Sequence, residues 1–294
     1  MKKPATTNHL SILIVLFFTF VFSTAFIINK NETPASKDPV KLAYTFVEGK
    51  SVTYYSATTI TQAMDVNGQT MNVLINQNLA FKAKMLSKTN ENFKLEITVD
   101  SLVSKVESPN GSTGGKIKEV EGKTFNMVLS PLGKELNTEE AAKIEFTIEG
   151  TPGGNLSQYF ANVFPDLPEK PVNTGDTWIR NDTVTNKSAT SNTTQIIQSN
   201  NKFEGVEKLN GIDCAKITST ITGIMQTTTQ NQGMDILYKG PLSGTVTLYF
   251  AVREGNFVKR EVSTKMTGTI DISGAQSMTF PVVMETNSKI EAKN

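Results

Sequence analysis

A two-residue alternation of apolar and polar side chains, held over long stretches, constrains the fold of this chain more than any other feature. Between positions 71 and 85, every odd-numbered residue except Gln77 is apolar. Neighbouring side chains of a β-strand point to opposite faces of a sheet, so the pattern predicts one long, half-buried strand. The series comprises Met71, Val73, Ile75, Gln77, Leu79, Phe81, Ala83 and Met85.

The same alternation recurs along most of the chain. Leu42, Tyr44 and Phe46 form a short series, and Phe93 begins another. Further series in the second half begin at positions 215, 246, 262 and 278. The sequence therefore predicts a mainly β protein, built as a long curved antiparallel sheet or sheets in two related halves, half-barrel or sandwich-like.

Turn residues separate these strands, and one or two short helices are expected between the halves. Asn67-Gly68 is a strong hairpin signal, whereas segment 107–116 (ESPNGSTGGK) is predicted to be a flexible polar loop. Segment 137–142 is suited to capping and starting a short helix. A second amphipathic helix is indicated by i, i+3, i+4, i+7 spacing at Leu156, Tyr159, Phe160 and Val163.

Three prolines in segment 164–171 mark the boundary between the halves. The predicted organisation is a signal peptide at 1–25, a flexible tail at 26–39, an N-terminal β half at 40–170 and a C-terminal β half at 171–290.

The two halves also align with each other at an offset of about 122 residues. Segment 94–99 then lies over 216–221, and segment 125–129 lies over 247–251. Duplication would explain the match, and so would chance similarity between two β-meanders. The alignment leaves open whether the halves form one continuous sheet or two subdomains.

The first 25 residues have the pattern of a secretory signal peptide. Lys2 and Lys3 precede an apolar stretch from Leu10 to Ile28, and Ser23-Thr24-Ala25 supplies the small residues of a cleavage site. The chain is therefore expected to be exported, to the periplasm or the cell exterior. The alternative is an uncleaved anchor at residues 10–28 that holds the protein in the inner membrane.

Composition excludes several functional classes. Cleavage would remove Lys2, Lys3 and the single histidine, His9, and would change the net charge from +1 to −1. Without histidine, the usual catalytic triads and zinc sites are unavailable, and a nearly neutral chain is a poor nucleic-acid binder. The single cysteine, Cys214, is expected to be a small buried residue, and no metal or cofactor is expected.

An apolar ligand is the leading expectation. If the long strands curve, one face would present an apolar lining to a concave interior. The candidate lining residues are Met71, Phe81, Met85, Phe93, Leu95 and Ile97. Several further methionines lie on strand faces, where this adaptable side chain serves either varied apolar ligands or ordinary core packing.

Three motifs together resemble a family of exported β-rich proteins of unknown function from Bacteroidota. They are the segments LAYTFxxGK at 42–50, LPEKPVxxGDTW at 167–178 and YFxxREGNFV at 249–258. A looser similarity, at the level of fold, is to lipoprotein-carrier (LolA-like) half-barrels. That similarity implies a concave sheet, a plugging helix at 155–164 and an apolar cavity for acyl chains.

The sequence thus favours an exported, non-enzymatic envelope protein that binds or carries a lipid or another apolar small molecule. The first alternative is a structural or protein-interaction protein of the envelope. The second is an enzyme that uses carboxylates only.

Overall fold

The structure is a computed structural model that describes residues 38–66, 68–148, 154–187, 191–231, 234–273 and 277–293. The predicted signal peptide and most of the predicted tail lie outside the described residues.

Long antiparallel strands account for most of the described chain. The first half contains β1 (Ser51–Val66), β2 (Gln69–Thr89), β3 (Asn92–Ser108), β4 (Gly111–Lys116), β5 (Thr124–Leu129), β6 (Glu135–Asn137), β7 (Glu145–Phe146) and β8 (Gly154–Asn155). The second half contains β9 (Thr177–Lys187), β10 (Ser191–Leu209), β11 (Ile212–Asn231), β12 (Met234–Ala251), β13 (Asn256–Ser273) and β14 (Met278–Lys293). Two one-turn helices, α1 (Glu139–Ala142) and α2 (Ser157–Phe160), and a 3₁₀ turn (Lys118–Val120) complete the structure.

One antiparallel sheet of 12 strands carries both halves. Its order is β6-β5-β3-β2-β1-β14-β13-β12-β11-β10-β9, with β4 paired on β3, and the sheet is not closed. The halves meet where β1 pairs with β14, for example at Ile60 and Thr286. The predicted mainly β, antiparallel class with two short helices is therefore confirmed, and the halves share one continuous sheet.

The segments that aligned between the halves both form antiparallel pairs, but β5 lies on the edge side of β3 whereas β12 lies on the central side of β11. In the first half, β3 pairs with β5 through Leu95 and Met127. In the second half, β11 pairs with β12 through Ile217 and Leu248. Each pair consists of antiparallel neighbours. The pairing of Ile217 with Leu248 is shifted by one residue from the pairing that the offset of 122 would give.

Residues 42–46, predicted as a strand, are not part of the sheet. Only Val40 makes a β-bridge, to Val172. The Tyr44 N–H donates instead to the Pro131 carbonyl at 2.8 Å, and the Thr45 N–H donates to the Gly255 carbonyl at 2.9 Å. The N-terminal segment (residues 40–47) therefore crosses between two turns at one end of the sheet, and its alternation reflects burial alone.

Residues 107–116, predicted as a flexible loop, instead close a hairpin. Ser108 pairs with Gly111 where β3 turns into β4, and β4 continues in register to Lys116. A side chain at Gly114 would collide with the Ser104 carbonyl of β3. The glycines that suggested a loop thus allow close strand pairing at this position.

A cross-sheet segment (residues 138–148 and 154–172) fills part of the space inside the curved sheet. On one side, Glu140 accepts a hydrogen bond from the Asn126 N–H of β5 at 2.8 Å. On the other side, the Asn155 side-chain amide donates to the Lys187 carbonyl of β9 at 3.0 Å, and Asp166 forms an ion pair with Arg180 of β9. Because β5 and β9 lie near opposite ends of the strand order, the sheet curls around this segment.

The main hydrophobic core lies between the cross-sheet segment and the concave face of the sheet. Its central residues include Phe81, Leu95, Phe160 and Phe250. We call this concave surface the inner face. A second, smaller apolar cluster lies further along the long strands and includes four methionines, namely Met64, Met225, Met266 and Met284.

Candidate functional site

Five of the six side chains predicted to line a cavity belong to the main core. Phe81, Met85, Phe93, Leu95 and Ile97 are all buried there. The rings of Phe81 and Phe160 lie edge to face with centroids 5.1 Å apart, and Phe46 packs against Phe93 at 5.4 Å. The cross-sheet segment and the N-terminal segment therefore cover these residues.

Met71 lies apart from the other five predicted residues. It is half-buried near the β1–β2 turn, where it pairs with Met64. The structure thus brings five of the six residues together as packed core and leaves the sixth near the far end of the same strand.

An open cavity occurs on the inner face immediately beyond this core. Its volume is about 440 Å³, and it lies between α2 with the residues that follow it and strands β1, β2, β13 and β14. Its lining residues are Ser56, Thr58, Gln77, Leu79, Gln158, Tyr159, Asn162, Val163, Arg260, Val262, Ser288 and Ile290.

Strand register explains why these residues meet. Gln77, Thr58, Ser288 and Val262 form one continuous row across β2, β1, β14 and β13. The adjacent inner-face row, two positions along each strand, consists of Leu79, Ser56, Ile290 and Arg260. Side chains two apart on a strand share a face, so both rows point to the same interior.

Hydrogen bonds hold the polar side of the cavity in place. The hydroxyls of Thr58 and Ser288 lie 2.8 Å apart and form a hydrogen bond with each other. The Gln77 amide donates to the Tyr159 hydroxyl at 3.3 Å, which connects β2 to α2. Burial raises the pKa of Tyr159 to about 12, so its phenol stays neutral near neutral pH.

Arg260 is the only lining residue that carries a charge. Its Nη1 donates to the Asn162 carbonyl at 2.8 Å. Burial lowers the pKa of Arg260, while Glu135 and Tyr44 oppose this change, and an arginine remains protonated under these conditions. The cavity therefore combines one positive charge with hydroxyls, amides and the apolar side chains of Leu79, Val163, Val262 and Ile290.

Glu135 is not part of the cavity lining, but it hydrogen-bonds the chain that follows the lining residue Val163. Its Oε1 accepts the Phe164 N–H at 2.9 Å. Burial raises the pKa of Glu135 to about 7, although the Phe164 hydrogen bond and the charge of Arg260 oppose the shift. The carboxylate thus holds the chain directly after the lining residue Val163.

The lining groups are suited to recognition. The two titratable side chains of the cavity lining, Arg260 and Tyr159, do not change charge near neutral pH. Over the described ranges, no group of three or more His, Cys, Asp or Glu residues is placed to hold a metal ion. Cys214 is buried in a separate cluster, and burial raises its pKa to about 11, as expected for a packed thiol.

Arg260 is a residue of the candidate site that the sequence analysis missed. The apolar series of β13 occupies even-numbered positions from Val262 to Ile272, and Arg260 continues it in phase. A charged residue on the buried phase of a strand is unusual and needs a partner or a function. The sequence signal for Arg260 was therefore a charged residue at an even-numbered position of β13, in phase with the apolar series.

Comparisons with known proteins identify no family. No protein-family model and no curated protein matches the sequence. Among the helices of the described ranges, none is long and apolar enough to span a membrane.

Several solved structures share a weak likeness. A Bacteroides fragilis protein described as exported, with a YmcC-like fold, is 10% identical with a TM-score of 0.27, over 86% of this chain and 99% of that one. An outer membrane channel from Pseudomonas putida F1 is 7% identical with a TM-score of 0.25, over 87% and 99%.

A third is Pseudomonas aeruginosa OccK2 (OpdF), solved with glucuronate, at 5% identity and a TM-score of 0.25, over 85% and 98%. At TM-scores this low the likeness assigns no function. Membership of a Bacteroidota family and similarity to lipoprotein carriers remain predictions.

Proposed function

We propose that this chain is an exported, non-enzymatic protein of the cell envelope that binds an amphipathic ligand inside its curved sheet. The observation that carries the proposal is the cavity of about 440 Å³ between α2 and the inner face. Its size falls within the roughly 300–1,000 Å³ range of small-molecule sites.

The distribution of side chains supports an amphipathic ligand. Each inner-face row combines polar and apolar side chains: one has Thr58, Gln77 and Ser288 beside Val262, and the other has Ser56 and Arg260 alternating with Leu79 and Ile290. A purely apolar molecule would desolvate the charged Arg260 without supplying an anionic partner, at a free-energy cost. A ligand with a polar head and an apolar body matches both rows.

The placement in the cell envelope follows from the N-terminal sequence pattern. A basic start, an apolar core and small residues before position 26 are typical of export signals. An exported lipid-binding protein would acquire its ligand at or near a membrane, where amphiphiles are abundant.

Native mass spectrometry with lipid extraction tests the proposal on protein purified from its own envelope. We expect a co-purified amphiphile in the wild-type protein and its loss in Ser56→Phe, which fills the cavity. Ala57→Phe is the matched control, because Ala57 is exposed on the opposite face of the same strand. A wild-type protein without bound amphiphile, and without a mass shift on adding one, would contradict the proposal.

A protein-interaction role is the second candidate, and the outer face of the sheet favours it. Ile196 and Ile224 are directly paired across β10 and β11, and 51% and 55% of their surfaces are exposed. Exposed neighbouring apolar residues are a common feature of interaction surfaces.

Photo-crosslinking in cells distinguishes this second role. A crosslinker at position 224 should give a discrete larger adduct, whereas one at the exposed Thr220 of the same strand should not. Equal or no adducts at both positions would exclude the apolar pair as a docking site.

A further inference from the structure

We infer that the ligand is a monoanion whose head group binds the guanidinium of Arg260; this inference rests on the proposed function. It names the class of ligand, an oxyanion-headed amphiphile with a single negative charge, of which a carboxylate is the simplest form.

The first argument is that Arg260, unlike Arg180, forms no ion pair with a carboxylate of the described residues. The chain has three arginines. Arg180 is paired with Asp166 and Asp182, and Arg253 is exposed in the turn before β13. In the part of the chain that the structure describes, Arg260 forms no ion pair, and its side chain donates a hydrogen bond to the neutral Asn162 carbonyl.

The charge of the cavity is the second argument. No Asp or Glu is among its lining residues. The carboxylate that acts most strongly on Arg260 is Glu135, which lies outside the lining and accepts the Phe164 N–H. Since no carboxylate of the described residues forms an ion pair with Arg260, its half-buried charge attracts an anion into the cavity, and a low-dielectric setting strengthens that attraction.

The donor geometry is the third argument. A guanidinium has five N–H donors in a planar fork that matches an oxyanion. The contact with Asn162 uses Nη1 and leaves the other nitrogens to bind a ligand. The hydroxyls of Thr58 and Ser288 in the adjacent row use one proton in their mutual hydrogen bond, which leaves the other to donate within the same cavity.

One cation in the lining selects a single negative charge. A cationic head group would be repelled by Arg260, and a dianion would bring a second negative charge that no lining group neutralises. Ile290 is the direct neighbour of Arg260 in the same inner-face row and would contact the first carbons of the ligand, and Leu79 lies two strands beyond Ile290 in that row.

Titration calorimetry with four ten-carbon probes tests the inference on the full mature protein. The probes are decanoate, decan-1-ol, decyltrimethylammonium and decyl phosphate. We expect decanoate to bind about 10- to 100-fold more tightly than decan-1-ol, the range of a charge-assisted hydrogen bond. Decyl phosphate, with nearly two negative charges at pH 7, should bind more weakly than decanoate, and the cationic probe should bind least.

The variants assign this preference to Arg260. Arg260→Gln should reduce decanoate affinity to the level of decan-1-ol and leave decan-1-ol binding unchanged. Arg253→Gln removes the same charge at an exposed turn and should change neither affinity. If Arg260→Gln does not fold, the salt dependence of decanoate binding to the wild-type protein replaces it, with a fall in affinity expected at high salt.

The outcomes separate the two claims. Equal affinity for decanoate and decan-1-ol, or decanoate affinity that is independent of Arg260 and salt, overturns the inference and leaves the proposed function standing. Tighter binding of decyl phosphate overturns the single-charge preference. Absence of binding for all four probes contradicts the proposed function itself.

Discussion

The inner face of the sheet has two regions that are built from the same strands but differ in what covers them. On β2, Phe81 is buried in the packed core beneath Phe160. Two positions earlier on the same face, Leu79 borders open space, as does Gln77 before it. The cross-sheet segment, rather than the sheet, therefore decides which part of the concave surface is packed core and which borders the cavity.

Loss of Phe160 should have the largest effect on the filled region. Its ring contacts Phe81 at 5.1 Å and Phe125 at 4.9 Å, so Phe160→Ala should lower the free energy of unfolding by about 3–5 kcal/mol. Urea denaturation measures the change. Gln158→Ala on the same helix faces the cavity and is exposed, so it should change stability by less than about 0.5 kcal/mol. Similar losses for both variants would remove the distinction between the regions.

The N-terminal segment closes the filled region, and Gly255 allows it to pack there. Gly255 has a φ of +64°, and an added Cβ would collide with the Thr45 hydroxyl. Gly255→Ala should therefore destabilise the fold by about 2 kcal/mol or more, by thermal or urea unfolding. Gly175 also has a positive φ, at +94°, but nothing lies within 4 Å of a Cβ added there, so Gly175→Ala is the matched control. Gly175→Ala should therefore lower the free energy of unfolding less than Gly255→Ala does. An equal loss would mean that the collision with Thr45 is unimportant.

Protonation of Glu135 should make the free energy of unfolding depend on pH. Its pKa of about 7 in the folded state lies above its ordinary value of 4.5, so the folded state binds the proton more tightly than the unfolded chain. The stabilisation is complete below about pH 4.5 and is lost as pH rises through about 7. The free energy of unfolding should thus fall between pH 5 and pH 8.

Glu135→Gln should flatten this pH dependence. The carboxylates with lowered pKa values, such as Glu140 and Asp271, titrate below this window. Urea unfolding at several pH values compares the variant with the wild-type protein. An unchanged slope in Glu135→Gln would assign the dependence to another group.

The two buried tyrosines of the filled region should show the smallest effects, with opposite signs. The Tyr44 hydroxyl donates to the Pro165 carbonyl at 2.9 Å, so Tyr44→Phe should cost about 1 kcal/mol. The Tyr54 hydroxyl lies near Asn256 but makes no hydrogen bond of normal geometry. Tyr54→Phe should therefore be neutral or slightly stabilising in the same assay. A clear loss would show that the Tyr54 hydroxyl has a partner in solution.

Local sequence patterns predicted the strands better than the long-range arrangement. The alternation in β2 and the Asn67-Gly68 turn indicated the first hairpin, whose register closes from Val66 to Gln69. The spacing of Leu156 and Phe160 indicated the helix that covers the inner face. These signals are local, since each depends on residues a few positions apart.

The prediction of a strand at residues 42–46 was wrong because distant segments provide the hydrogen-bond partners there. Alternation at Leu42, Tyr44 and Phe46 is genuine, but the hydrogen-bond partners of this segment are turns more than 80 residues away in sequence. The predicted lining at Phe81 and Leu95 depends in the same way on what covers it. Alternation tells which residues face inward, but it does not tell whether another segment already fills the interior.

The position of a bound ligand would show whether the cavity beside Arg260 is the binding site. A crystal structure with 10-bromodecanoate locates the bromine by its anomalous signal and the carboxylate by its electron density. We expect the carboxylate within hydrogen-bonding distance of the Arg260 guanidinium and the bromine inside the curved sheet, on the apolar side of the cavity. A ligand found only on the outer face, or only at the methionine cluster around Met266, would contradict the account.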